Sequence, residues 1–273
     1  MRLTRFFATH VTPIRMVAFH FSIAILISFA LFVGAQQKKA DPKEAPPQAL
    51  AAIPLGVELG TTTKVTLRGL RLEPVTEIRF QEPRTTGKLV GKPRKIGLPN
   101  NVSVNIHGDS EIDFEVTLPK EVAGDAIPFT LVSPAGESKA HRLIVKDGST
   151  ITVEKEPNDG FGQPQPIAIP SVVEGSIRQA QDVDVFRIDG KAGDTLTFEL
   201  QANRFGSPVD GILTLYDQAG RIIASADDSP GSTDPILKVK LPRDGLYLLS
   251  LIDANDQGGS IYVYRLIARR SAP

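Results

Sequence analysis

The segment DVDVFRIDGKAGDTLTFEL, residues 182–200, consists of two alternating runs separated by turn residues. In the first run Asp182, Asp184, Phe186 and Ile188 occupy every second position, and in the second run apolar residues do so at 196, 198 and 200. Successive side chains of a strand point to opposite faces of a sheet, so this period of two indicates half-buried strands. Gly and Asp residues between the runs favour a tight turn. The segment therefore predicts two strands joined by a turn rather than a helix.

Similar runs extend through the rest of the chain from residue 51 onward. In the N-terminal half they lie at 63–67, 101–107, 111–118, 127–131 and 143–145, and in the C-terminal half at 211–216, 237–241, 246–252 and 261–267. Gly, Pro, Asn and Asp punctuate them, and no stretch after the amino-terminal apolar run has convincing helical periodicity. We predict an all-β fold of two consecutive β-sandwich modules, residues 51–147 and 148–273.

Composition excludes several classes of function. The 273 residues include no Cys, so disulfides and thiolate metal sites are excluded. The formal net charge is +0, which argues against nucleic acid as a partner. Only two of the four His, His107 and His141, lie beyond the first 35 residues, and no nucleophile–base–orienter set is recognisable. We therefore expect no enzymatic activity.

The amino-terminal 35 residues have the order of a signal peptide. Arg2, Arg5 and Arg15 precede an apolar run from Met16 to Ala35, which ends in Val33-Gly34-Ala35 before polar residues. This order predicts export with cleavage after Ala35. The alternative is an uncleaved anchor, because about 20 apolar residues can span a bilayer. Residues 36–50 are rich in Pro and Lys and are predicted to form a linker.

The first module resembles the IPT/TIG family of immunoglobulin-like domains. Pro54-Leu55-Gly56, Gly60-Thr61-Thr62 and Val65-Thr66-Leu67-Arg68-Gly69 are similar to its opening, and residues 129–138 to its closing hairpin. The resemblance implies an Ig-like fold and no reaction. Within this module residues 83–97 contain five basic residues and no acid. This segment is interpreted as a solvated hairpin loop, with an anionic polymer as the alternative ligand.

Acidic side chains concentrate in the second module, which has 17 Asp/Glu against 12 Lys/Arg. In an extended segment Glu154, Glu156 and Asn158 point the same way, with Asp159 beside them. Asp182 and Asp184 lie on the core side of their strand, where an unpaired charge is costly. Calcium takes six to eight oxygen ligands, so these six side chains are a candidate calcium site. The alternative is a linker turn, with Asp182 paired to Arg178 or Arg187. Asp210, Asp227, Asp228 and Asp234 are interpreted as turn residues without a metal.

The second module also resembles the bacterial pre-peptidase C-terminal domain, which is abbreviated PPC. The resemblance rests on the order of Glu154–Asp159, Gly175-Ser176-Ile177, Asp182–Phe186, Gly193–Leu196, Leu213–Gly220, Ala226-Asp227-Asp228 and Asp244–Tyr247. It implies a jelly-roll-like β-sandwich of the kind appended to secreted peptidases and related to calcium-stabilised collagen-binding domains. In that family the E-x-E-x-N-D and D-x-D segments correspond to calcium ligands. No protease domain precedes the module within this sequence, so the resemblance implies no proteolysis.

These observations predict an exported, non-catalytic protein located in the periplasm, on the cell surface or outside the cell. Its expected role is binding or scaffolding, with an extracellular or envelope protein or a polysaccharide as partner. The alternative is an accessory subunit of a separately encoded secreted peptidase or other hydrolase. After signal cleavage no association with a membrane is expected.

Overall fold

The computed structural model describes residues 45–100 and 102–271, and these residues form nineteen strands, one short helix and one 3-10 turn. The predicted signal peptide and linker residues 36–44 lie outside this range. In the first module the elements are β1 Gln48–Ile53, β2 Gly56–Glu58, β3 Thr62–Leu70, β4 Glu77–Phe80, β5 Thr86–Lys95, α1 Val104–His107, β6 Ser110–Thr117, β7 Ala126–Ser133, β8 Gly136–Glu137 and β9 His141–Lys146. In the second they are β10 Ile151–Val153, β11 Gln165–Pro166, β12 Ser171–Ser176, β13 Val183–Gly190, β14 Thr195–Gln201, the 3-10 turn Asn203–Phe205, β15 Gly211–Asp217, β16 Ile222–Ala226, β17 Ile236–Lys240, β18 Gly245–Asp253 and β19 Val263–Ser271.

The first module is a sandwich of two sheets, as the alternation predicts. One sheet has the strand order β1-β3-β6-β5 and the other β2-β9-β7-β4, with β8 paired to β7. On β6 the side chains of Ile112, Phe114 and Val116 are buried, and on the facing sheet those of Phe129 and Leu131 are fully buried. These residues belong to one apolar core, so the period of two in each strand is the pattern of a half-buried sheet.

The second module is a larger sandwich with its own core. Its two sheets have the strand orders β10-β12-β19-β14-β17 and β11-β13-β18-β15-β16. Phe186 and Ile188 of β13 face Phe198 and Leu200 of β14 across the core, and all four are almost completely buried. Both predicted modules are therefore β-sandwiches. No helix within the described ranges is long and apolar enough to span a bilayer.

Two sequence predictions in the first module are wrong. Residues 101–107 were expected to form a strand, but Val104–His107 form helix α1 with Val104 and Ile106 exposed. The reason is that residues 96–109 connect β5 to β6, which pair with each other, so this segment reverses the chain direction instead of adding a strand. A period of two over a few residues does not reveal whether a partner strand is free.

The basic segment 83–97 is also not a loop, because most of it forms β5. The strand pairs with acidic β6, so that Lys88 lies opposite Glu115 and Arg94 pairs with Asp113 at 3.1 Å. The acidic side chains of β6 thus pair with Arg94, which contacts both Glu111 and Asp113. Lysines on such an edge strand also discourage pairing with other chains.

The two modules contact each other across the segment that joins β9 to β10. Leu55, Ile144 and Phe205 form a small apolar cluster at this junction. The guanidinium of Arg142 lies 5.3 Å from the Phe205 ring centre, and its Nη2 donates to the carbonyl oxygen of Arg204 at 2.9 Å. β1 begins inside the predicted linker, and its Ala51 packs into the core of the second module. The described residues accordingly form one compact unit.

Candidate metal centre

The segment Glu154–Asp159 is held against the second module by backbone hydrogen bonds. The amide of Glu154 donates to the carbonyl of Glu174 on β12 at 2.9 Å, and the amide of Val185 on β13 donates to the carbonyl of Asn158 at 3.1 Å. Both ends of the segment are therefore attached to different sheets of the sandwich. Its acidic side chains are directed toward the start of β13.

All six predicted residues meet at this place. Glu154, Glu156 and Asp184 each place one carboxylate oxygen within 4.8 Å of the others. Glu156, Asp159 and Asp182 form a second such group, so that Glu156 belongs to both. The arrangement resembles the oxygen cage that a divalent cation requires, because calcium is bound by carboxylate and amide oxygens.

The side-chain amide of Asn158 lies between two carboxylates of the cluster. Its side chain is 1% exposed, and one terminal amide atom lies 2.9 Å from Glu156 Oε2 and 3.1 Å from Asp184 Oδ1. If this atom is the nitrogen, it donates two hydrogen bonds to the carboxylates. If it is the oxygen, three oxygens converge, and either a proton on one carboxyl group or a cation must lie between them.

Glu154 shows most directly that the cluster is short of hydrogen-bond donors among the described residues. Its side chain is buried, and its Oε1 has no hydrogen-bond partner among the described residues. Leaving a buried charged acceptor unsatisfied costs at least about 1–3 kcal/mol. The residues present fit a bound cation better than a self-contained hydrogen-bond network.

Asp184 lies deepest in the cluster and depends on a residue from another strand. It is fully buried and accepts a hydrogen bond of 2.6 Å from the hydroxyl of Tyr264 on β19. Gly175 of β12 pairs with Tyr264, and a Cβ at this glycine would lie only 2.5 Å from the Tyr264 hydroxyl. The absence of a side chain at Gly175 therefore allows the Tyr264 side chain to pass over this residue and reach Asp184.

The alternative ion pairs account for only part of the charge. Arg178 is the nearest cation, with its Nε 3.5 Å from Glu156 and its Nη2 3.9 Å from Glu154. Its side chain is half exposed, so these are weak contacts. Asp182 accepts a hydrogen bond from the backbone amide of Arg178 rather than from the guanidinium. One exposed arginine faces five carboxylates, which leaves a strong negative charge.

Burial and mutual repulsion raise the proton affinity of the cluster. Burial raises the pKa of Asp184 to about 8 against the opposing hydrogen bond from Tyr264. Burial, with a contribution from the charge of Glu156, also raises the pKa of Glu154, and burial raises that of Asp182. Burial raises the pKa of the Tyr264 hydroxyl well above its usual value, and the Asp184 charge adds to this. A cation would reverse these shifts, because it stabilises the ionised carboxylates.

Tyr264, Gly175 and Arg178 belong to this site, but sequence reasoning did not assign them to it. In the sequence, Gly175 is part of a family motif, and Arg178 is one of two candidate partners of Asp182. Tyr264 lies 80 positions from Asp184, and the two residues belong to strands of different sheets, so only the packing of one sheet on the other brings them together. No local pattern in the sequence carries this information.

The second acidic cluster differs in its burial. Asp210, Asp227 and Asp228 also place one oxygen each within 4.8 Å of one another, but none of the three is buried. Asp234 is fully buried elsewhere, where it accepts hydrogen bonds from the backbone amides of residues 202–204. It acts as the cap of the 3-10 turn.

The two histidines lie in the first module, away from the carboxylates. Burial lowers the pKa of His141 to about 4, with Arg142 contributing, so its ring is neutral near pH 7. His107 contacts the Tyr262 ring at a centroid distance of 5.8 Å. Both rings take part in packing contacts.

Comparison with known proteins assigns the region that contains Asp182 and Asp184. Residues 182–252 match the family model of the bacterial pre-peptidase C-terminal domain. Over 103 residues the chain is 35% identical to a probable subtilase-type serine protease of Deinococcus radiodurans, covering 37% of this chain and 14% of that protein. The chain thus spans about one seventh of the curated relative it matches, and the alignment carries no evidence of catalytic activity.

Solved structures give weaker similarity. The pre-peptidase C-terminal domain of a collagenase from Bacillus anthracis aligns with 12% identity and a TM-score of 0.33, over 39% of this chain and 94% of that chain. A periplasmic inhibitor of g-type lysozyme from Aeromonas hydrophila, PliG, aligns with 17% identity and a TM-score of 0.30, over 40% of this chain and 99% of that chain.

Proposed function

We propose that this chain, whose second module contains a pre-peptidase C-terminal domain, is an exported non-catalytic binding or scaffolding protein stabilised by calcium. Domains of this family occur in secreted proteases, which indicates an extracellular module. The proposed location is the bacterial envelope or the extracellular space. The proposed partner is a protein or polysaccharide of that compartment.

The observation that carries the calcium proposal is the unpaired, buried Oε1 of Glu154 beside four further carboxylates. Glu154, Glu156, Asn158, Asp159, Asp182 and Asp184 would hold the ion. Calcium would supply positive charge and link these six ligands, and it would take part in no chemical step. Magnesium is a poorer fit, because it demands octahedral geometry and gives up water reluctantly.

The consequence of such a site is mechanical. Residues 154–159 follow β10 directly, and β10 follows the junction between the modules. An ion that ties this segment to β13 would also order the connection to the first module. Calcium in the extracellular medium would then stabilise the relative position of the two sandwiches.

Thermal melting of the full chain with chelator, calcium or magnesium tests the proposal. A ligand that binds only the folded state adds about 2.7 kcal/mol at a hundredfold excess over Kd. Calcium should therefore raise Tm by several degrees. Magnesium should raise it much less.

A pair of double variants locates the site. Glu156→Gln with Asp184→Asn should abolish the calcium shift. Asp227→Asn with Asp228→Asn removes the same charge from the exposed cluster and should leave the shift unchanged. Equal melting points in all three solutions, or loss of the shift in the second variant alone, would contradict the assignment.

The alternative function is an accessory subunit for a separately encoded secreted peptidase or other hydrolase. The 35% identity with part of a subtilase-type protease favours it. A pull-down from envelope extract with the full chain separates the two roles. Recovery of one hydrolase in stoichiometric amount supports the accessory subunit, and recovery of polysaccharide or a surface polymer supports the binding protein.

A further inference from the structure

We propose that the cleft between the two modules binds a glycan chain that carries N-acetyl groups. This junction cleft has a volume of about 480 Å³, which lies in the range of small-molecule sites. Residues of β1, α1 and β9 line it from the first module, and the 3-10 turn and several loop residues line it from the second. The inference rests on the proposed binding role and specifies its partner, but it does not use the calcium cluster.

Three asparagine side chains converge on the junction cleft from three different elements. They are Asn105 of α1, Asn203 of the 3-10 turn and Asn255 of the loop after β18, and all three are exposed. The backbone amide of Asn203 donates to Asp234 Oδ1 at 2.7 Å, which fixes the turn that carries this side chain. A carboxamide offers N–H donors and a carbonyl acceptor. An acetamido group has the same two functions, so each group can satisfy the other.

Charge in the junction cleft is low and of one sign. Apart from His141, Asp210 is the only acidic or basic residue among the described residues of the lining, and burial lowers the pKa of His141 to about 4, so its ring is neutral near pH 7. Asn255 Nδ2 donates to Asp210 Oδ2 at 3.1 Å, which orients this carboxylate as an acceptor for a sugar hydroxyl. Asp227 and Asp228 lie beside Asp210, so an anionic glycan is disfavoured. A neutral ligand rich in hydroxyls fits these groups.

An aliphatic wall lies beside the polar groups. Leu50 of β1, Ile106 of α1 and Pro208 contribute to the lining, and Ile106 is 49% exposed. Covering an exposed aliphatic side chain is favourable, and the methyl of an acetyl group is apolar enough to do so. No Trp, Tyr or Phe is among the described residues of the lining, so an unmodified glucan would find no aromatic ring to stack on. The wall therefore favours an acetylated sugar.

A peptide also offers amides, but the strand in the junction cleft is not free to pair with one. An extended peptide is commonly recognised through main-chain hydrogen bonds to an open sheet edge. The strand that lines the cleft with such an edge is β1, whose partner on the other side is β3. Gly206 covers the Leu50 carbonyl of β1 so closely that a Cβ at position 206 would collide with the oxygen. A glycan needs no such edge, because its groups pair with side chains.

Calorimetric titration of the full chain with three uncharged probes tests the proposal. Chitotetraose carries an acetamido group on each sugar, cellotetraose has the same backbone with hydroxyls in their place, and acetyl-tetraalanine amide has amides but no sugar. We expect saturable binding of chitotetraose and at least about tenfold weaker binding of cellotetraose, because the hydrogen bonds to the acetamido group are lost. The peptide should bind no better than cellotetraose.

Substitutions in the lining locate the binding. Asn105→Ala with Asn203→Ala should lower the affinity for chitotetraose at least about tenfold and leave Tm without ligand unchanged, because both side chains are exposed. Ile106→Ser should weaken binding of chitotetraose and leave that of cellotetraose unchanged, because only the former has methyl groups to cover. Asn100→Ala is the control, since Asn100 is an exposed asparagine outside the lining, and it should bind like the wild type.

Three results would overturn the proposal: equal affinity for chitotetraose and cellotetraose, tighter binding of the peptide, or binding of chitotetraose that survives the double substitution. Absence of chitotetraose binding would overturn it as well. That last result would leave the proposed function standing, because thermal melting with calcium and the pull-down from envelope extract test that function without this probe.

Discussion

The Asp184→Asn variant should be more stable than the wild type without calcium and less stable with it. Asp184 is fully buried, and its pKa is raised from 3.8 to about 8. A raised carboxyl pKa means that the folded chain retains a proton that the unfolded chain releases between these two values. Below pH 4 the contribution of Asp184 to the stability of the metal-free protein is therefore at its highest. This contribution is lost as the pH rises toward 8.

The size of the effect follows from proton linkage. Between the two pKa values, the free energy of unfolding of the metal-free wild type falls by about 1.4 kcal/mol for each pH unit. From pH 5 to pH 7 the metal-free wild type should lose about 3 kcal/mol through this residue. Asparagine has no such titration, and its side-chain oxygen can still accept the Tyr264 hydrogen bond. With calcium the ranking should reverse, because the variant lacks one ligand charge.

Urea unfolding at constant ionic strength from pH 5 to pH 8 measures this directly, in chelator and in calcium. Asp189→Asn is the matched control, since Asp189 lies on the same strand but is exposed. It should follow the wild type under all conditions. Parallel pH profiles for the wild type and Asp184→Asn in chelator would refute the reasoning, because the buried carboxyl would then not be the titrating group.

Three further predictions concern packing and processing. Gly175→Ala would place a Cβ 2.5 Å from the Tyr264 hydroxyl, so it should lower the free energy of unfolding by about 1–3 kcal/mol and weaken calcium binding. Urea unfolding and calcium titration measure the two effects, and unchanged stability would mean that the Tyr264 side chain moves freely. Phe205→Ala removes the centre of the junction cluster and should lower the free energy of unfolding by roughly 3–5 kcal/mol. The two modules should then unfold in two calorimetric transitions instead of one. If the wild type already melts in two steps, the junction does not couple the modules. Mass spectrometry of the protein from its native host should find Gln36 at the amino terminus, and an intact leader in the membrane fraction would favour the anchor.

The sequence alone identified the β-sandwich fold and most of its strands. Alternation in residues 111–118 and 182–200 is a local property, because each strand exposes one face and buries the other whatever its partner. The acidic residues at 154–159 and 182–184 were recognisable for a similar reason. Short acidic runs at alternate positions are visible without knowledge of the fold.

Tertiary structure decided what these elements contact. Residues 101–107 alternate like a strand, yet Val104–His107 form helix α1 because the segment connects the paired strands β5 and β6. The basic residues of 83–97 form an edge strand because acidic β6 lies beside them.

At the metal centre, the approach of Tyr264 to Asp184 arises from the packing of the two sheets against each other, and the unpaired state of Glu154 arises where residues 154–159 connect those sheets. Periodicity reports which face of a strand is buried. Only the packed chain determines which charges are left without partners.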